Sequence, residues 1–329
     1  MRVQGAKVLV TGAGGFIGSH LVELLVRRGA KVRAMVHYDA RADQSNLELV
    51  SPEVRGAFEV VSGNVEDPYF VASAVKGQEA VFHLAALIAI PYSYLAPASF
   101  VATNVQGTLN VLEACRTQGV SRLVHTSTSE TYGTALYTPI DEQHPLQGQS
   151  PYSASKIGAD KLAESYHLSF GLPVATVRPF NTYGPRQSAR AVIPTIIAQA
   201  LASPAIRLGS LTPVRDLNYV LDTVAGFVAV AESDAAVGQV VNVGSGSAVT
   251  IGELAALILR IMGIEKEIVV DQARVRPEKS EVMALLADRR KAEALTGWTP
   301  RYTLEQGLRE TVEFVRAHLD RFKPDVYNR

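Results

Sequence analysis

A doubly wound parallel α/β sheet followed by a smaller C-terminal lobe is the fold that these 329 residues predict. Three observations point to it. The first half alternates short apolar runs with amphipathic stretches, the pattern of parallel strands joined by crossover helices. A glycine-rich turn links the first of those runs to the first helical stretch. From about residue 179 onward the pattern turns loop-rich, with shorter helices.

In chain order, the apolar residues 8–10 centre a strand read over 6–11. Gly12, Gly15 and Gly18 then recur at three-residue spacing, and residues 16–28, opening with Phe16 and Ile17, read as a helix. Glycines at such a turn let the backbone approach a pyrophosphate, which sits at the helix N-terminus. The spacing is G-x-x-G-x-x-G rather than the usual G-x-G-x-x-G. Further strands are expected near 31–36, 57–61, 79–84, 122–127 and 173–178, and further helices near 98–118 and 152–169. Residues 87–97, with Pro91 and Pro97, lie beyond the carboxyl end of a strand, where ligands bind in such sheets. Shorter helices follow near 191–201, 250–262, 287–295 and 303–320. The expected division is a dinucleotide-binding unit over 1–178 and a substrate lobe over 179–329, with 215–245 returning to the first unit.

Composition narrows the function classes. Lysine plus arginine equals aspartate plus glutamate at 32 each, so no global field draws nucleic acid or an anionic membrane. Phosphate affinity must come from local sites. The single cysteine, Cys115, excludes an intramolecular disulfide, and its apolar helical context reads as a buried structural thiol. No apolar stretch reaches the length of a membrane span, and the N-terminus becomes a glycine turn where a signal peptide needs its apolar core. A cytoplasmic protein without a metal site is expected.

The chemistry begins at Ser150-Pro-Tyr-Ser-Ala-Ser-Lys156, which sets Tyr152 and Lys156 one helical turn apart. A phenol ionises near pH ~10 in water, and a neighbouring ammonium favours the phenolate. The pair is therefore an acid/base device for a sugar or alcohol hydroxyl, with the glycine turn supplying an electron acceptor.

Together these residues resemble the extended short-chain dehydrogenase/reductase family, in its NAD-dependent epimerase/dehydratase branch. The resemblance runs through Val81-Phe-His-Leu-Ala-Ala86, Asn104, Ser127-Thr-Ser-Glu-Thr-Tyr-Gly133, the Tyr152/Lys156 pair, Arg178-Pro-Phe-Asn-Thr-Tyr-Gly-Pro-Arg186 and Arg215-Asp-Leu-Asn-Tyr-Val220. It implies a Rossmann-type sheet that binds NAD through Gly12, Gly15, Phe16, Ile17 and Gly18. Asn64, Val65, Leu84, Ala85, Ala86, Asn104, Ser127, Tyr152, Lys156 and Pro179 complete the implied cofactor site. It also implies a nucleotide sugar held by Asn181, Arg186, Val192, Arg215 and Arg276, whose guanidinium groups suit bidentate phosphate recognition. A homodimer through helices 98–118 and 152–169 is implied as well, with apolar positions such as Val105, Leu109, Leu112 and Leu162.

By the same resemblance, Tyr152 takes the proton of a sugar 4-hydroxyl while hydride passes to nicotinamide. Lys156 lowers the tyrosine pKa and holds the nicotinamide ribose. Thr128 shares the proton network, with Ser127 beside it as the open alternative. Ser129 and Glu130 bear on the reaction. The family's hexose 4,6-dehydratases usually carry Thr-Asp-Glu here, the Asp as acid for the leaving hydroxyl and the Glu as base at C5. This chain has Thr128-Ser129-Glu130, so the base is kept and a hydroxyl stands for the acid. Thr-Ser-Glu also occurs in UDP-glucuronate decarboxylases of this branch, so two reactions stay open, with a 4-epimerase as a third. The stretches Gln187-Ser-Ala-Arg-Ala-Val-Ile-Pro194, Gly209-Ser-Leu-Thr-Pro-Val-Arg-Asp216 and Arg276-Pro-Glu-Lys-Ser-Glu281 look like dehydratases of nucleotide-linked N-acetylglucosamine on routes to legionaminic acid. A dinucleotide-sensing binding protein is the alternative outside enzymes, and the intact Tyr152, Lys156, Thr128 and Glu130 speak against it.

The cofactor's identity is where the motif departs from expectation. An acid normally ends the second strand and binds the adenine ribose. Here Val36 holds that place, followed by His37-Tyr38-Asp39, and Gly63-Asn64 stands where a Gly-Asp pair is usual. NADP stays open, with Arg33, His37 or Arg41 as phosphate partners and Asp39 as a ribose ligand from the loop. The dehydratase resemblance favours NAD. His83 reads as a core or cofactor-lining residue, and Trp298 as a packing anchor.

Overall fold

The computed structural model describes residues 1–324 apart from 276, 278 and 279. The first half runs β1 (Lys7–Thr11), α1 (Phe16–Arg27), β2 (Lys31–Val36), β3 (Phe58–Ser62), α2 (Pro68–Val75) and β4 (Ala80–His83). Two short helices, α3 (Ile90–Ser93) and α4 (Pro97–Phe100), lead through a π-helical turn (Val101–Gln106) into α5 (Gly107–Gln118), β5 (Arg122–Thr126), α6 (Pro151–Phe170) and β6 (Val174–Pro179). The helix expected over 98–118 thus runs unbroken from Pro97 to Gln118, with a π-helical segment over 101–106 inside it.

The second half runs β7 (Asn181–Tyr183), α7 (Val192–Ala202), β8 (Ile206–Leu208), β9 (Val214–Tyr219), α8 (Val220–Glu232), β10 (Val240–Val243) and β11 (Ala248–Thr250). It ends with α9 (Ile251–Met262), β12 (Ile268–Val270), β13 (Ala284–Leu285), α10 (Arg290–Thr296) and α11 (Leu304–Ala317).

Seven parallel strands form the main sheet in the order β10-β6-β5-β4-β1-β2-β3. The chain order reverses between β1 and β4, which puts the crevice for ligands at their carboxyl ends. Helices α1 and α8 pack together on one face, and α2, α5 and α6 cover the other. Residues 215–245 divide between two layers. β10 joins the main sheet beside β6 and α8 covers it, whereas β9 builds a second sheet with β7, β11 and β13. Against that smaller sheet, α7, α9 and α11 pack on one another.

The elements form where local chemistry places them. Strands β1 and β4 are apolar throughout or nearly so and buried on both faces, as central parallel strands must be. Helices α6, α9 and α11 each begin at a Ser or Thr whose side chain and that of the third residue on satisfy each other's backbone amides. Cys115 is buried, and burial pushes its thiol up, in keeping with a structural role. Trp298 anchors the chain before α11 by donating its indole N–H to the Asp222 carbonyl at 3.0 Å. One of the apolar positions expected at a dimer face lies elsewhere: Leu112 is wholly buried in the core beneath α5, because it points at the sheet. No helix among the described residues is long and apolar enough to cross a membrane.

Candidate active site

The glycine turn between β1 and α1 is shaped for an anion. Gly15 opens α1 with no side-chain cap and no acid in the first turn, which leaves the leading amides, those of Phe16 and Ile17 among them, without intrahelical partners. Gly12 has φ +69°, and a Cβ there would lie 2.8 Å from the Ala85 amide nitrogen. A methyl on Gly18 would overlap the Gly12 carbonyl oxygen, so only glycine lets α1 start this close to β1. These are the features a bound dinucleotide needs, and the residues present fit one.

Behind the turn, a chain of hydrogen bonds fixes the loop after β4. The Leu84 and Ala85 amides both donate to Thr11 Oγ1 at 3.1 Å. Thr108 gives its proton to the Asn104 carbonyl at 2.6 Å, so it must accept from His83 Nε2 at 3.0 Å. His83 Nδ1 therefore accepts from Thr11 Oγ1 at 2.9 Å. Burial, then the charges of His125 and Lys156, hold His83 well below its ordinary pKa. Neutral His83 is a fixed strut rather than an acid/base.

Asn104 corrects a sequence expectation. Its amide donates to the Leu87 carbonyl at 2.9 Å and to Ser155 Oγ at 2.9 Å, and its oxygen accepts from the Leu87 amide at 2.8 Å. Wholly buried at the π-helical turn, it has no hydrogen left for a dinucleotide and instead pins Leu87 to α6. Asn64 Oδ1 likewise accepts from the Glu66 amide at 3.1 Å, while Val65 is buried against Gly107. Leu84, Ala85, Ala86 and Pro179 are half-buried at strand ends of the main sheet.

Ser150 caps α6 and Pro151 takes its first position, which sets the register of the Tyr152/Lys156 pair. Tyr152 is 7% exposed and Lys156 4%. Lys156 Nζ donates to the Thr126 carbonyl at 2.6 Å, and burial pulls it down to about 8, with the Asp160 charge opposing. The phenol moves opposite to the sequence expectation. Burial raises the Tyr152 pKa, a hydrogen bond with Thr128 lowers it, and the charges of Glu130 and Asp160 raise it. The ammonium does not act as the expected depressor, because it is turned to the Thr126 carbonyl.

The choice between Ser127 and Thr128 falls on Thr128. Ser127 Oγ donates to Asp160 at 2.6 Å and accepts from Arg178 Nε at 3.2 Å, so it has no proton to offer a cofactor. Thr128 stands beside the Tyr152 phenol, whose pKa it lowers, and caps the following turn by accepting from the Glu130 amide at 3.2 Å. Glu130 is half-buried beside Tyr152, and its carboxylate has no hydrogen-bond or ion-pair partner among the described residues. Ser129 is buried, with a hydroxyl that makes no hydrogen bond among the described residues.

Asn181 on β7 has a buried side-chain oxygen without a hydrogen-bond partner among the described residues. Arg215 on β9 donates to Glu281 at 3.1 Å and to the Val214 carbonyl at 3.0 Å. Tyr94 Oη meets Ser280 Oγ at 2.5 Å, and Ser280 donates to the Gln149 carbonyl at 2.9 Å, which bridges the two halves of the chain. Val192 opens α7. Arg276 lies outside the described residues.

Arg186 is the second correction. Its guanidinium pairs with Glu23 and reaches Ser19 Oγ at 3.4 Å, so it faces α1 and has only 9% of its side chain exposed. The backbone explains why: φ at Arg186 is +67°, which turns the chain toward α1 rather than into the crevice. At the adenosine end, Arg33 is bound to Glu59 at 2.7 Å and to the carbonyls of Ala74 and Lys76, and so is withdrawn as a phosphate partner. Asp39 accepts from the Arg41 amide at 2.7 Å and pairs with its side chain at 3.4 Å. Sequence reasoning also missed Asp160 and Arg178 as site residues. The signal was present: Asp160 repeats the four-residue step from Tyr152 to Lys156.

Known proteins place this geometry. The model of the GDP-mannose 4,6 dehydratase family matches residues 9–311. A dTDP-glucose 4,6-dehydratase of Streptomyces griseus is 35% identical over 324 residues, 97% of each chain. A UDP-glucose 4-epimerase of Mycolicibacterium smegmatis is 33% identical over 317 residues, 94% of this chain and 98% of that one. DesIV, the dTDP-glucose 4,6-dehydratase of Streptomyces venezuelae, was solved with NAD bound. It superposes with a TM-score of 0.86 at 30% identity, over 97% of this chain and 99% of its own. With its glycine turn, tyrosine–lysine pair and seven-stranded sheet, the chain belongs to the GDP-mannose 4,6 dehydratase family of extended short-chain dehydrogenases/reductases.

Proposed function

We propose that this protein is an NAD-dependent nucleotide-sugar 4,6-dehydratase acting on UDP- or GDP-linked N-acetylglucosamine. Glu130 carries the reading. A half-buried carboxylate without a partner, set beside the acid/base tyrosine, is what removal of the C5 proton requires and what a 4-epimerase has no use for. The amino-sugar part rests on the sequence stretches 187–194, 209–216 and 276–281. NAD rather than NADP is supported by the pairing of Arg33 and Arg41 with carboxylates, and by the NAD bound to the Streptomyces venezuelae relative.

Bound NAD supplies the hydride acceptor for C4 and later the hydride donor for C6. The chain's own residues move the protons. Tyr152 takes the 4-hydroxyl proton, with Thr128 beside the phenol through the transfer. The resulting C4 ketone acidifies the C5 hydrogen, and the Glu130 carboxylate removes it. The C6 hydroxyl then leaves as water on the proton that Glu130 took from C5, and solvent supplies the proton that C5 later regains. Ser129 is a poor acid alone and orients that hydroxyl. Protonation at C5 accompanies hydride return to C6, and the product is a 4-keto-6-deoxy sugar with no net redox change. Arg215, as a guanidinium that suits a diphosphate, and Asn181, whose side-chain oxygen has no hydrogen-bond partner among the described residues, are proposed for the nucleotide sugar, which Arg215 would meet while still held by Glu281.

The unit over residues 1–178, with α8 and β10, is proposed as the dinucleotide half of a cytoplasmic homodimer. Val105, Leu109 and Leu162 remain half-exposed on α6 and the segment leading through α5, and they support that interface. A sedimentation mass equal to one 35.4 kDa chain would remove it.

Mass spectrometry of products tests the function. Pure protein is incubated separately with UDP- and GDP-N-acetylglucosamine, dTDP-glucose and UDP-glucuronate. Loss of water from an amino sugar is the expected result. Water lost from dTDP-glucose alone would keep the dehydratase and change the sugar. Carbon dioxide lost from the glucuronate, or a mass-neutral isomer from any substrate, would sink the dehydratase.

A further inference from the structure

Behind the tyrosine–lysine pair lies a carboxylate that the reaction above leaves without a task. Asp160 stands one helical turn beyond Lys156 on α6 and is buried. Donors from two strands and a strand end converge on it. His125 Nε2 of β5 donates to one carboxylate oxygen at 3.0 Å. Ser127 Oγ, just past β5, and Arg178 Nη2 of β6 donate to the other at 2.6 and 2.8 Å. Arg178 also donates to Ser127 Oγ and closes a triangle of hydrogen bonds. Its guanidinium lies 4.6 Å over the Tyr132 ring, and Tyr132 Oη donates to Asn242 of β10 at 2.8 Å. One carboxylate thus joins α6 to the ends of β5 and β6.

The position of this joint matters for the chemistry. Ser127 is bonded directly to Thr128, the residue that meets the Tyr152 phenol. The titratable and charged groups facing the cluster are Tyr152 and Lys156 from α6, His83 from β4, His125 from β5, Arg178 from β6 and Glu130 from the turn after β5. Burial first, then neighbouring charges, keeps His83 well below its ordinary pKa, and burial keeps His125 low although its hydrogen bond to Asp160 opposes the shift. Arg178 is ion-paired with Asp160 at 2.8 Å, and Lys156, one turn back on α6, feels the Asp160 charge while donating to the Thr126 carbonyl. Burial opposes the ionisation of Asp160, yet hydrogen bonds from His125 and the Arg178 charge hold it well below the usual carboxylate range.

We propose that Asp160 is a positioning residue of the C4 oxidation: it holds the Ser127–Thr128 strand end against α6 so that Thr128 meets Tyr152, and it supplies the counter-charge to Lys156. The proposal rests on tyrosine-dependent oxidation at C4, whichever sugar is used and whatever follows at C5. A buried ion pair with no task beyond folding would leave the pH dependence of turnover untouched, and that difference is measurable.

The test uses the cofactor-loaded enzyme and the nucleotide sugar that the product assay identifies. Asp160→Asn keeps the shape and an acceptor but removes the charge. KM is expected within about twofold of the wild type, and kcat lower by about tenfold or more. An ammonium deprived of its anion releases its proton at lower pH, so the alkaline limb of kcat is expected to move down by about one pH unit. Ser127→Ala leaves every charge in place; it is expected to lower kcat about tenfold with the limb unmoved. A fall in Asp160→Asn that is uniform across pH would overturn the proposal, as would Ser127→Ala at the wild-type kcat. Should Asp160→Asn fail to fold, Ser127→Ala decides alone, because it deletes one hydroxyl. A wild-type enzyme that turns over none of the sugars fails the functional reading instead, and the two failures stay separate.

Discussion

Glu130 and Tyr152 share one end of the crevice with opposite electrostatic demands. A carboxylate beside a buried phenol disfavours the phenolate, and burial adds to the effect. An arrangement that handicaps the first proton transfer in this way makes sense if the carboxylate is needed for a second one. Glu130→Gln separates the two steps. The amide cannot take the C5 proton, so loss of water is expected to slow by about 10²–10⁴-fold. Removing the charge also relieves the phenol, so oxidation at C4 is expected to proceed. The check is the product mass together with the absorbance of reduced cofactor held by the enzyme, which is expected to build up. Water loss at the wild-type rate would make Glu130 a bystander and return the chain to the epimerases. Much of this site was legible in the residues themselves. The one-turn step from Tyr152 to Lys156 follows from their spacing, whereas Thr128 and Glu130 were singled out by the family resemblance of the segment after β5. Two things were not legible, namely the direction of the Tyr152 shift and the commitment of Asn104 and Ser127. Both depend on which side chains already hold each other's hydrogens, and that is set by tertiary contacts rather than by spacing.

At the scale of elements, the central strands and the helices beginning at Ser150, Thr250 and Thr303 were written in apolar runs and caps. β10 was not read as a strand, because four residues beside a loop carry too little pattern on their own. α1 shows what sequence patterns leave out. Its outward turn carries Ser19, His20 and Glu23, which an amphipathic reading would leave in solvent. All three are buried beneath residues 185–186. His20 Nε2 donates to the Pro185 carbonyl at 3.0 Å, and burial, then the Arg186 charge, lowers its pKa from 6.5 to about 4. The sign of the effect on stability follows from linkage. Between pH 6.5 and about 4 the unfolded chain binds a proton that the folded one refuses, so stability is whole above that window and falls through it as pH drops. The loss amounts to about 3 kcal/mol. Glu23 is also lowered, but from 4.5, so its contribution is lost only at the acid end of the range. His20→Gln can keep a donor toward Pro185 without titrating. Denaturant unfolding from neutral pH down to pH 5 is expected to show a shallower decline for the variant. Parallel declines for the two proteins would show that His20 carries no such linkage.

For the molecule as a whole, the same contact ties the segment before α7 to α1. Arg186 leads into α7 with φ +67°, a backbone region that a long side chain occupies only when its surroundings hold it there. Glu23 and Ser19 of α1 hold its side chain, and Asn46 holds its carbonyl at 3.3 Å. The arginine that the resemblance assigned to the nucleotide sugar is therefore a fastener between α1 and the segment leading into α7. The two roles make different predictions. As a fastener, Arg186→Met strands a buried carboxylate and is expected to cost about 3 kcal/mol. Arg27, 3.5 Å from Glu23 and largely exposed, softens that loss without abolishing it. Arg186→Met combined with Glu23→Met removes both charges, and most of the stability is expected to return. Some deficit remains, because the Ser51 amide, 2.9 Å from Glu23 Oε1, loses its acceptor. KM for the nucleotide sugar is expected to stay near the wild-type value in both variants, since neither charge reaches the crevice. Melting temperatures and KM measured on the wild type and the three variants of the cycle, with Glu23→Met as the third, settle the matter. A raised KM with an unchanged melting temperature would put the Arg186 guanidinium back among the phosphate ligands, and the loop before α7 would then have to swing away from α1 when substrate binds.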